Sequence, residues 1–272
     1  MKNKSAALPY IIWMTIFTIV PLLLIVYFSF TNSAGQFTLE NIANITKKEY
    51  LTTLLESIGL GALATFICLV VGYPVAYMIS RMSEKVQATM TMVVMLPMWM
   101  NFLLRIYAWM NLLETNGLIN RFLGLFGIAP LHMMNTRGAV VLGMVYNFLP
   151  YMILPLYSVM AKIGKPILEA ASDLGANGAS TFRRVIVPLS IPGIISGITM
   201  VFVPSVSTFI ISQLLGGSKN ALIGDIIDMM FLGGAPNYNM GAALSLVLMV
   251  LMLLCMLIMN KSDDDEGGAM LI

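Results

Sequence analysis

Six long apolar runs, at residues 8–30, 57–80, 87–109, 139–159, 191–213 and 240–259, divide this sequence. A hydrocarbon core of ~30 Å is crossed by roughly 20 residues of helix, because a helix satisfies its own backbone where there is no water to do so. Every run reaches that length. The chain is therefore expected to be an all-α membrane protein, a single transmembrane domain over residues 1–272 with six spans. Its composition agrees, with 58% hydrophobic residues and only 10% charged, too few charges for the surface of a soluble domain of this size. Pro9, Pro21, Pro74, Pro97, Pro150, Pro155 and Pro204 fall in or at the ends of the runs. Kinked membrane helices tolerate such prolines when neighbours re-satisfy the freed carbonyls.

The connections alternate in charge. One side of the membrane collects nine basic residues: Lys2, Lys4, Arg81, Lys85, Lys162, Lys165, Arg183, Arg184 and Lys261. The other collects five: Lys47, Lys48, Arg121, Arg137 and Lys219. The positive-inside bias places both termini and the 160–190 connection in the cytoplasm. Lys2 and Lys4 before an apolar run, with small residues at 32–35, also fit a cleaved signal peptide. A signal's apolar region is typically 7–15 residues, shorter than this one, so an uncleaved first helix is expected. The outer connections are long, and residues 117–127 and 221–232 read as short amphipathic helices at the outer interface.

Several functions are excluded. A net charge of +2 gives no reason to expect a nucleic-acid partner. Cys68 and Cys255 lie inside apolar runs, and His132 is the single histidine, so neither a disulfide framework nor a zinc site is expected. The methionines at 90, 92, 95, 98 and 100 read as flexible filler rather than as a soft-metal ladder, since no Cys or His joins them. No Gly-x-x-x-x-Gly-Lys-[Ser/Thr] phosphate loop is present; Gly216-Gly217-Ser218-Lys219 has the wrong spacing. No catalytic constellation and no cofactor site is expected, so the chain is not read as an enzyme.

One connection departs from the economy of the rest. Residues 160–190 carry Lys162, Lys165, Glu169, Asp173, Arg183 and Arg184 between two apolar runs. Pro166 suits a helix start, and Glu169 and Asp173 share one face. Gly175 and the Asn177-Gly178 pair predict a turn. Ser180 or Thr181 is expected to cap a second short helix with an exposed Phe182, before Pro188 and Pro192 lead into the fifth span. The pattern predicts a helix–turn–helix knuckle over residues 166–188.

Glu169-Ala170-Ala171, then Gly175, then Val185-x-Val187-Pro188 resembles the EAA pattern of ABC importer permeases, with valines for the usual Ile and Leu. That resemblance implies the type I ABC importer permease fold, in which this knuckle is a coupling helix seated in a cleft of an ATP-hydrolysing subunit. The positions it marks for coupling are Glu169, Ala170, Ala171, Asp173, Gly175, Phe182, Arg183 and Pro188. Residues 154–158, 165–176, 187–193, 215–224 and 104–109 are similar to the B-type permeases of spermidine/putrescine importers. The family so implied works in the bacterial cytoplasmic membrane with a second permease as heterodimer partner, a pair of ATPase subunits and an extracytoplasmic polyamine-binding protein.

Candidates for the substrate path follow from charge and polarity. Asp225 and Asp228, three residues apart, would share a face of the 221–232 helix at the outer mouth and suit a polycation; the alternative is a solvated or docking face. Tyr107 and Trp109 could stack on an amine. Ser205, Ser207, Thr208, Ser212 and Gln213 make the fifth span polar after Pro204, for interhelical hydrogen bonds or for lining a hydrated path, with Ser205, Ser207 and Thr208 the path candidates. Arg105, the one charge inside a span, either snorkels outward or pairs with Glu114 or a partner permease at an outer gate. The acidic run 263–266 reads as a disordered cytoplasmic end. An ABC importer for another small solute is the alternative within the class. An ion-coupled transporter would need carboxylates inside its spans, and only Glu56 stands even at a boundary.

Overall fold

The computed structural model describes residues 8–269, so Lys2 and Lys4 lie outside the described residues. Among the described residues, five helices are long and apolar enough to cross a membrane, or six when one bent pair counts as a single span. In chain order the helices are α1 (Pro9–Ser29), α2 (Glu40–Ile45), α3 (Lys48–Ser80), α4 (Glu84–Trp99), α5 (Phe102–Leu113), α6 (Leu118–Gly124) and α7 (Arg137–Met160). They continue with α8 (Lys165–Asp173), α9 (Gly178–Val206), α10 (Ile223–Leu232) and α11 (Tyr238–Ala269).

The core is a bundle of α3, α7 and α9, the three helices most extensively in contact. Lipid supplies no hydrophobic drive between helices, so close packing must hold them, and small residues allow it. At Gly197 of α9 a Cβ would stand 2.7 Å from Met152 Sδ and 3.3 Å from the Met152 carbonyl of α7. Gly61 of α3 gives similar room to Val206, whose Cγ2 lies 2.7 Å from the place of its absent Cβ. A second apolar cluster joins α11 to Leu54, Val206 and Ile223. The later half of α1, Val20–Ser29, packs on α11. There the Asn239 amide donates to the carbonyls of Phe28 and Thr31 at 3.1 and 2.7 Å.

The third span differs from the continuous helix expected over 87–109. It breaks after Trp99, and the helices on either side bend by 86°. Met100 is extended (ψ 149), and the Asn101 side chain accepts from the Leu103 and Leu104 amides, starting a new helix inside an apolar run. Hydropathy registers no such boundary, because a cap needs one oxygen rather than a polar segment. The second span begins earlier than the apolar run, at Lys48, and its 33 residues rise about 50 Å, so the first turns stand outside the hydrocarbon. The fifth span is also redrawn. It begins at Gly178 and ends at Val206 rather than covering 191–213. The sixth helix runs on to Ala269, carrying the acidic run 263–266 in its last turns rather than in a disordered tail. Propagating an existing helix adds a hydrogen bond per residue without a new nucleus.

Candidate functional site

The knuckle is built by backbone chemistry. Gly164 and Pro166 start α8, and none of its residues is buried. Its end is a Schellman turn: the Ala176 N–H donates to Ala171 O at 3.0 Å and the Gly175 N–H to Ser172 O at 2.8 Å. Gly175 supplies the left-handed residue at φ +80, in open space. Glu169, Ala170 and Asp173 are exposed, Ala171 is half-buried, and Leu174 is 89% exposed at the tip.

The return differs from expectation in two respects. Asn177, rather than Ser180 or Thr181, is the cap: its Oδ1 accepts from the Ser180 N–H at 2.9 Å. The helix it starts is no separate element but the first turns of α9, joined to the span by a π-helical turn at Phe182–Ile186. Prolines at 188 and 192 do not stop it, because Pro188 follows directly on the π-helical turn, where the hydrogen-bond register is already interrupted, and a membrane helix accepts later prolines. Phe182 is only 37% exposed. It stands edge-on to Tyr73 and to Tyr77 of α3, each ring centroid 5.7 Å away. Aromatic pairs of this geometry contribute about 0.5–1.5 kcal/mol each beyond area burial. Arg183 is exposed and Pro188 half-buried. At the near end of the knuckle, Arg81 Nη1 donates to Ile163 O at 3.1 Å while its guanidinium lies 5.3 Å from the Tyr77 ring centre.

At the opposite end of the bundle, α9 stops at Val206 and residues 207–209 are not helical. The start of α10 docks against this break. A Cβ on Gly224 would meet the Thr208 carbonyl at 2.5 Å and the Ser207 carbonyl at 2.8 Å, so only glycine permits the approach. Asp225 does not project into an outer mouth. It is 2% exposed, and its Oδ2 accepts from the Leu222 N–H at 2.6 Å, closing the first turn of α10. The adjacent Ile223 N–H donates to Ser57 Oγ of α3 at 2.8 Å. Burial pushes the Asp225 carboxyl up to about 6; the Leu222 N–H and Ser212 hydroxyl act in the opposite direction, and Asp228 adds to the rise.

Asp228 occupies a different setting. Gln213 Nε2 donates to its Oδ2 at 3.1 Å. It lines a cleft of about 570 Å³ together with Ser207, Phe209, Phe231 and Ser245, over a floor that includes Leu248 and Met252. One carboxylate, two hydroxyls and two aromatic rings above an apolar floor suit a flexible organic cation. Of the seven path candidates, Ser207 and Asp228 meet here. Ser205 is buried and donates within its own helix to Val201 O at 2.7 Å, and Thr208 is 9% exposed beside the break. Trp109 stacks edge-on with Tyr146 at 5.4 Å, and Tyr107 is exposed on α5, away from the cleft. Phe209 and Phe231 also line the cleft and Gln213 holds Asp228; the polarity of the run after Pro204 marks Gln213 in the sequence, and nothing there marks the two rings. Arg105, bent away with α5, is 8% exposed. It makes no ion pair with Glu114, and its guanidinium lies 5.7 Å from the Phe102 ring centre.

Comparison with known proteins places this geometry. Residues 57–263 match the family model described as "Binding-protein-dependent transport system inner membrane component". The chain is 39% identical over 265 residues to the spermidine/putrescine transport system permease protein PotB of Salmonella typhimurium (strain LT2), covering 93% of this chain and 92% of that one. The PotB of Escherichia coli K12 is 40% identical over 248 residues, covering 88% and 90%. The PotB of Haemophilus influenzae is 41% identical over 248 residues, covering 88% and 86%. Among solved structures, a bacterial ABC transporter that imports the acidic polysaccharide alginate superposes with a TM-score of 0.82 at 17% identity, covering 96% of this chain and 94% of that one. The last likeness concerns the fold.

Proposed function

The chain belongs to the family of binding-protein-dependent transport system inner membrane components, and from that membership we propose that it carries polyamines through the membrane as one of two permeases in an ATP-driven importer. It is a multi-pass membrane permease subunit, and its helices bear no nucleotide loop. The energy therefore enters from a partner ATPase at the knuckle. The observation that carries this reading is the exposed, glycine-terminated α8, whose following helix is the fifth span itself. A push on Glu169, Ala170, Ala171, Asp173 and Leu174 has a continuous helical path of 29 residues along α9 to the break at Ser207. Arg183 extends the docking face, and Pro188 lies on the path.

At the far end of α9 the cleft around Asp228 receives the cargo. Spermidine and putrescine fit its chemistry, with the carboxylate for an ammonium and Phe209 and Phe231 beside the methylene chain. Asp225 serves here as a positioning residue for α10. The cargo arrives on an extracytoplasmic binding protein, and both termini face the cytoplasm with the knuckle, the side richer in Lys and Arg. Uptake of radiolabelled spermidine by the complete importer in vesicles tests the cargo. Excess spermidine or putrescine is expected to abolish it, and Asp228→Asn to raise KM about tenfold, the loss of one charge-assisted contact. Labelled uptake indifferent to excess polyamine would assign the importer to another small solute.

A further inference from the structure

We infer that Phe182, held by Tyr73 and Tyr77, is the joint through which movement of the knuckle reaches the second span. The inference rests on the knuckle being the place where the ATPase acts. Because α8 buries none of its residues, its two ends are its firmest attachments to the bundle and carry most of any displacement. Both ends are fastened to one helix. Beyond the far end, Phe182 stands edge-on to the Tyr73 and Tyr77 rings, with interplanar angles of 83° and 82° and centroids 5.7 Å away in each case. These tyrosines are four residues apart and so share a face of α3. At the near end, the carbonyl of Ile163 is gripped by Arg81, the residue that caps the end of α3 one turn beyond Tyr77. A further fastening links the Tyr73 hydroxyl and Ser190 Oγ at 2.8 Å, about two turns along α9 from Phe182.

The geometry at Phe182 is that of a joint rather than a weld. It opens the π-helical turn Phe182–Ile186, where the regular hydrogen-bond register is interrupted and the helix can change direction without breaking. Below this turn the chain moves with α8; above it, Ser190 moves with α3. An aromatic ring between two others can tilt while keeping edge contact, which an aliphatic side chain cannot do. The second span is thus driven directly by the knuckle and not only through the fifth.

The test uses the complete importer in vesicles, reading retention of the ATPase after purification and the solute moved per ATP hydrolysed. Phe182→Ala is expected to retain the ATPase while solute moved per ATP falls about tenfold. Phe182→Tyr, which restores a ring, should recover most of that ratio, and Tyr77→Ala should reproduce the defect from the α3 side. A ratio within about twofold of wild type in both alanine variants would overturn the inference. Loss of the ATPase from Phe182→Ala would overturn it too, by making Phe182 part of the docking face. Failure of the underlying reading is separable: Gly175→Pro, which leaves all three rings in place, would then transport normally whatever Phe182 does.

Discussion

Asp225 shows how position changes the meaning of a residue. In sequence it is one of a pair of acids suited to a cation; folded, it closes the first turn of α10 and is sealed from water. Its carboxyl sits at about 6, above the ordinary value near 3.9, because burial disfavours the charge. A raised carboxyl contributes its stability below the unfolded pKa, and that contribution is lost as pH rises through the folded pKa. The window is therefore about pH 4 to 6. Asp225→Asn keeps an oxygen for the Leu222 N–H but has nothing to titrate. The purified variant should lose part of the fall in Tm that wild type shows between pH 4 and pH 7; identical profiles would show that Asp225 does not titrate in that window. Phe182 is the complementary case. An aromatic in a charged connection reads as exposed, and Phe182 is, but nothing local in the sequence reveals that it stands against two tyrosines about a hundred residues earlier.

Among the elements, those fixed by length and periodicity were legible and those fixed by a single polar atom were not. The apolar runs anticipated the number of apolar segments but not their bounds, since hydrocarbon thickness sets a minimum length and nothing more. The knuckle was legible too, since Gly175 and Pro166 announce its ends. The 86° break in the third span was hidden, because Asn101 acts as a cap inside an otherwise apolar run. The continuity of α9 was hidden by prolines that a soluble helix would not tolerate. Close approach of α9 to α7 depends on Gly197, where any side chain collides with the Met152 backbone as well as its sulfur. Gly197→Leu should destabilise the purified permease by about 1–3 kcal/mol, the usual range for overpacking. Thermal unfolding in detergent reads this out, and an unchanged Tm would refute the close contact.

The whole molecule is a bundle that joins two differently built ends. At one end α8 presents an exposed face on a glycine turn; at the other, α10 docks on the broken end of α9 beside a cleft with one carboxylate. The sequence made the first end readable through a short pattern of fixed spacing. The second end is assembled from residues 207, 209, 213, 228, 231 and 245, brought together by packing, which no spacing encodes. On the proposed function, transport requires that the two ends act as one device, with the knuckle as its input. Gly175→Pro tests this most directly, because proline is locked near φ −65° where this turn needs +80°, and it should displace α8 without touching the bundle. In vesicles holding the complete importer, the account predicts that ATP-driven uptake is lost while the variant still inserts and assembles with its partner permease. Uptake at the wild-type rate would contradict it.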